Sequence, residues 1–163
     1  MNNELVIQNQ IYFLRYLSSK YDSNIQVSLT GKSKWLGLYS VVKNPPNFPI
    51  ASRSILRNEI LLEIDSGDWA IVRDRSRRIL ELLNKWGARD CYYLAFSGHN
   101  SVHVHLFFDP STLKINNDTL EVLENIEKDE VRRATKVYIM KQIGYATGTN
   151  PDMALASKHL IRL

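Results

Sequence analysis

Residues 91–110, CYYLAFSGHNSVHVHLFFDP, decide how this chain folds. They read as two strands joined by a tight polar turn, Ser97-Gly98-His99-Asn100-Ser101. In the second strand Val102, Val104, Leu106 and Phe108 fall on one face, and His103 and His105 on the other. An apolar strand that turns two imidazoles outward beside a Ser-Gly turn suits an anionic ligand. Ser97 offers a hydroxyl, and Gly98 lets backbone N–H groups approach without a side chain in the way. Ser-Gly is equally ordinary turn chemistry, and a strand histidine often does no more than satisfy a backbone carbonyl.

Upstream, Ile60 to Asp68 (ILLEIDSGD) alternates in the same way. Leu62 and Ile64 share one face, while Glu63 and Asp65 project from the other. A helix follows from about Asp68 to Trp86, with Val72, Ile79, Leu83 and Trp86 as its buried stripe and Gly87 as its stop. Its other face carries Arg73, Arg75, Arg77 and Arg78, a pattern that fits a solvated helix face as well as a nucleic-acid contact.

Toward the N-terminus, Leu5–Ser19 has helical spacing through Ile7, Ile11 and Leu14. Asn24–Leu29 and Trp35–Val42 read as strands. Three prolines in Asn44–Pro49 leave only a surface connection there. Beyond the hairpin, Asn117 or Asp118 opens a long helical region to about Gly144, with a break near Lys128-Asp129. Gly144–Pro151 is a loop, and His159–Leu163 (HLIRL) begins a last strand. This order predicts an α+β fold, an antiparallel-rich sheet with helices packed on it.

At 163 residues, 44% of them hydrophobic, the chain has enough material for one domain with a real core. Its net charge of +4 permits a nucleic-acid partner without requiring one. Cys91 is the single cysteine and sits in an apolar run, so it should be a buried thiol. A lone cysteine excludes a disulfide framework, and no structural zinc is expected. No apolar run approaches the length of a membrane span and nothing reads as a signal peptide. The expectation is a soluble intracellular protein, in the cytoplasm or nucleoid, with no membrane partner.

Glu63 and Asp65 lie two residues apart on one strand face, about 6.5–7 Å along the chain. Carboxylates so placed can share a pair of divalent ions about 3.5–4 Å apart, an arrangement that activates a hydroxyl and neutralises a leaving pyrophosphate. Oxygen ligands favour Mg²⁺ or Mn²⁺. An exposed structural face accounts for the same two acids as readily.

Taken together and in order, LLEID, FSGHNSVHVH and PDMALASKHLIRL resemble the archaeo-eukaryotic primase superfamily, and most closely the small catalytic subunit of DNA primase. The resemblance runs from about Trp35 to Leu163. It implies an RRM-like core joined to a small N-terminal α/β module. It further implies a template-directed nucleotidyltransferase that makes primers on single-stranded DNA from nucleoside triphosphates. Glu63 and Asp65 would match the paired metal ligands and Asp152 the third, with Asn150 as its rival. Ser97, Gly98, His103 and Arg162 would hold the incoming nucleotide's phosphates, and a larger accessory subunit would be a partner. Family members continue past the point matching Leu163 with a Pro-x-Ser-x-His-x-Lys-Gly-like segment, so this sequence is expected to be a fragment or a reduced form.

Two other readings use overlapping residues. His103-Val104-His105 with Tyr138 resembles rolling-circle replication endonucleases, in which paired histidines hold a metal and a tyrosine attacks the phosphodiester. Alternatively, the chain is a degenerate primase-like subunit that binds nucleic acid without catalysis.

Overall fold

The computed structural model describes residues 2–21, 25–30, 34–96, 100–108, 129–157 and 160–163, without the side chains of 129, 131, 157 and 160. Helices and antiparallel sheets share the chain, an α+β fold. The chain divides into two compact units, Met1–Arg57 with Lys158–Leu163, and Asn58–Ser157.

In the first unit, α1 (Asn3–Tyr21) buries Ile7, Leu14 and Leu17 at helical spacing. Four short strands, β1 (Gln26–Ser28), β2 (Trp35–Gly37), β3 (Ser52–Ser54) and β7 (Leu160–Arg162), form an antiparallel sheet in the order β2-β1-β3-β7. Gln10 ties α1 to the proline-rich connection. Its amide donates to the Ile50 carbonyl at 3.0 Å and accepts from the Ile50 N–H at 2.8 Å. Trp35–Val42, expected as one strand, is a strand only to Gly37; Leu38–Lys43 is a short helix, α2. The last strand, β7, pairs with β3 of this sheet, with Arg162 opposite Ser52.

The second unit holds the hairpin and the acidic strand. Strand β4 (Glu59–Asp65) leads into α3 (Trp69–Lys85), then the hairpin β5 (Tyr92–Phe96) and β6 (Ser101–Phe107), then α4 (Asp129–Thr147) and a 3-10 turn at Met153–Ser157. The sheet order is β4-β6-β5, so β6 lies antiparallel between its two neighbours. This is a split β-α-β arrangement. The Asp68 carboxylate caps α3 by accepting from the Ala70 N–H at 2.8 Å. At the other end Gly87 takes φ +77°. That conformation lets the Ala88 N–H reach the Leu83 carbonyl and the Gly87 N–H reach that of Asn84. Val72, Ile79 and Leu83 are buried as the spacing predicts.

Several expectations change here. Trp86 caps α3 and is half exposed instead of completing the stripe, because the helix has already ended. Cys91 is exposed, since it occupies a bend just before β5. Phe108 falls one residue beyond β6. His105 is buried, although it does share the His103 face. Asn117 and Asp118, the expected helix start, lie outside the described residues. The helix itself continues past Gly144 to Thr147. Among the described residues no helix is long and apolar enough to cross a membrane.

Gly144 is needed inside α4 because the following loop folds back onto it. A Cβ there would lie 3.0 Å from Pro151 Cδ and 3.1 Å from the Thr149 carbonyl oxygen. Gly-to-Ala in a helix interior normally gains about 0.5–1 kcal/mol. Gly144→Ala should instead destabilise the chain by about 1–2 kcal/mol in urea unfolding. Gly67→Ala, which meets nothing within 4 Å, should stay within about 0.5 kcal/mol of the parent.

Candidate functional site

Strand β4 carries its acids at 59, 63 and 65, all of one parity, so they share a sheet face with Leu61. The antiparallel register sets Glu63 opposite His103, Leu61 opposite His105 and Asp65 opposite Ser101. Pairing partners project to the same side, which brings the strand acids and both imidazoles to one face. Their surroundings then separate them into a buried set and an open set.

The buried set is Glu59 with His105. Both side chains are essentially inaccessible, and Glu59 Oε1 lies 2.6 Å from His105 Nδ1. Tyr93 stacks on the imidazole with ring centroids 4.3 Å apart and planes 9° from parallel. Lys136 of α4 is also buried, and burial drives its ammonium down to about 8; the charge of Glu59 opposes that fall and Arg132 adds to it. His105 is thereby committed to the interior. As the second imidazole of a His-x-His metal pair it would first have to leave Glu59, while Tyr138 stands exposed on α4.

The open set surrounds a cavity of about 310 Å³ in the second unit. Its walls are the C-terminal end of β4 with Glu63 and Asp65, the α3 side chains Arg75 and Ile79, and the loop Thr149–Asp152. Three acidic residues, Glu63, Asp65 and Asp152, and one basic residue, Arg75, thus line a single hollow, an excess of negative charge that favours a cation. Asp65 and Asp152 are exposed and Glu63 is half-buried. Each of two carboxylates already has a neighbour. Glu63 Oε1 lies 3.4 Å from His103 Nε2, long for a charge-assisted hydrogen bond. Asp152 Oδ1 accepts from the Ala154 N–H at 3.0 Å and so caps the 3-10 turn. Asn150 lines the same cavity, so both occupants proposed for the third position are present.

Among the described residues no three His, Cys, Asp or Glu side chains gather tightly enough to hold one metal ion. The donor chemistry nevertheless fits a hard divalent cation, because the acids are oxygen donors lining one space and the Asp65 carboxylate has no hydrogen-bond or ion-pair partner among the described residues. Ser97 and Gly98 lie outside the described residues. Arg162 is an exposed residue of β7 in the first unit.

Sequence reasoning missed three residues here. Glu59 shares the parity of Glu63 and Asp65, and that was its available signal. Arg75 stands one helical turn before the buried Ile79, which sets it apart from Arg77 and Arg78, both paired with acids on the helix surface. Lys136 carried no local signal, since only tertiary packing buries it. Comparisons with family models, with curated proteins and with solved structures find no match to this chain.

Lys136 makes stability depend on pH. In the folded chain it gives up its proton near 8, and in the unfolded chain near its ordinary 10.5. Between those values the unfolded state holds more protons, so stability rises with pH across that window. Relative to Lys136→Met, the parent chain should gain about 2 kcal/mol of unfolding free energy between pH 8 and pH 10, read by chemical denaturation at each pH.

Proposed function

We propose that the chain is a template-directed nucleotidyltransferase of the DNA primase type, forming phosphodiester bonds from nucleoside triphosphates on single-stranded DNA. One observation carries the reading: Glu63 and Asp65 of the strand and Asp152 of a loop far along the sequence line the same cavity. Arg75, which lines the same cavity, adds a cation suited to a phosphate oxygen. His103, directly across the ladder from Glu63, is placed to orient that carboxylate.

On this reading Glu63, Asp65 and Asp152 hold Mg²⁺ or Mn²⁺, which when bound would supply charge neutralisation at the transferring phosphoryl group and activate the attacking hydroxyl. The chain's own contribution is placement. A rigid strand fixes two of the acids, and a loop packed tightly on Gly144 fixes the third. Ser97, Gly98 and His103 are assigned the phosphates of the incoming nucleotide, as the family resemblance implies. A larger accessory subunit belongs to the same proposal.

Incubation with unprimed single-stranded DNA, labelled nucleotides and Mn²⁺ should yield short products. Asp65→Asn should lower their yield at least about 100-fold, because an amide binds a divalent ion poorly while leaving an exposed position folded. Template binding without any metal-dependent product would mark a catalytically silent relative. Strand cleavage that survives Asp65→Asn and is lost in Tyr138→Phe would mark the endonuclease.

A further inference from the structure

The second unit shows two large aromatic side chains in contact with each other and open to solvent. Trp69, the first residue of α3, and Phe96, the last of β5, meet edge to face with ring centroids 5.5 Å apart and planes at 75°. They remain 49% and 59% exposed, and Leu94, two residues before Phe96 on the same strand face, is 46% exposed. Single exposed aromatics are common on folded surfaces. A contacting pair with an apolar neighbour is a patch, and neither ring fills the core.

The charge beside the patch indicates what it would meet. Arg73 is one helical turn from Trp69 and on the same flank of α3. It is exposed and has no hydrogen-bond or ion-pair partner among the described residues, unlike Arg77 and Arg78. Position matters too. Phe96 pairs with Val102, which pairs with Ile64 of the cavity wall. Two strand spacings, about 10 Å, separate Phe96 from Ile64 along this rung, and both project to the sheet face opposite Glu63 and Asp65.

We infer that Trp69 and Phe96, with Arg73, form a platform on which bases of a single-stranded nucleic acid stack while the guanidinium meets the backbone phosphate. The inference rests on the polymerase reading for its role, as a grip on the template strand, but the binding it describes needs neither metal nor nucleotide. Aromatic faces stack on any base, so the platform is indifferent to sequence, and the arginine makes binding salt-dependent. A second copy of the chain fits the patch less well. A two-fold contact through this face would take the Arg73 guanidinium of each copy out of water, a desolvation cost that a phosphate backbone offsets directly.

The test is binding of a fluorescein-labelled 20-nucleotide oligothymidylate by the 163-residue chain in EDTA, followed by anisotropy at several salt concentrations. Phe96→Ala and Trp69→Ala should each weaken binding about tenfold or more. Arg73→Gln should flatten the slope of log affinity against log salt by about 0.7. Thermal melting checks that the variants fold, and Arg73→Gln, at an exposed helix position, supplies an arm independent of the aromatic changes. Affinities unchanged in Phe96→Ala and Trp69→Ala, or no binding by the parent chain at low salt, would overturn the platform. So would a parent dimer in sedimentation that Phe96→Ala dissociates while oligonucleotide affinity holds. Loss of binding in the variants of a chain that never synthesises primers would leave the platform standing and remove the polymerase reading. Primer synthesis with variant affinities unchanged would do the reverse.

Discussion

The ladder between β4 and β6 is the constraint on which the rest of the second unit depends. Seven residue pairs run from Glu59–Phe107 to Asp65–Ser101, and the side chains on each strand alternate between the two faces of the sheet. A slip of one residue would exchange Ile60, Leu62 and Ile64 with Glu59, Glu63 and Asp65, pushing acids into the apolar interior. Glu59 helps to forbid that slip. It reaches diagonally to His105, two residues from its direct partner Phe107, and makes a buried pair that an altered register could not form. Breaking such a pair costs several kcal/mol, because a charge is left stranded in the interior.

One strand thereby serves two kinds of chemistry through burial alone. At its start Glu59 is enclosed with His105 and close enough to Lys136 to affect its proton, and all three are committed to the core. Four and six residues later, on the same face, Glu63 and Asp65 border a hollow that a helix and a returning loop complete. The carboxylates there line the space without converging on a point.

Much of this was legible in the sequence, because it depends on parity and periodicity. The two faces of ILLEID, the hairpin, the helix opening after Asp68 and the stop at Gly87 follow from local rules, and the structure has all of them. Expectations failed where the answer depended on what lies above a surface. Cys91 looked buried because its neighbours are apolar, yet it sits on a bend outside the sheet. His105 looked open because His103 is its twin in the pattern, yet only one of them is covered. In Trp35–Val42, β-favouring residues predicted a strand across Gly37, where the chain turns into a helix. Of the cavity, the strand acids and Asp152 could be named in advance. Arg75 and Thr149 come into it only through packing.

The proposed role of Glu63, Asp65 and Asp152 requires that they act on one divalent cation site. Titration of the chain with Mn²⁺, followed by loss of the free-ion electron paramagnetic resonance signal, measures this most directly, with Asp65→Asn and Asp152→Asn beside the parent. The parent should take up Mn²⁺, and each variant, one from the strand and one from the distant loop, should weaken uptake by about tenfold or more. Uptake unchanged in both variants, or none by the parent at millimolar ion, would contradict it.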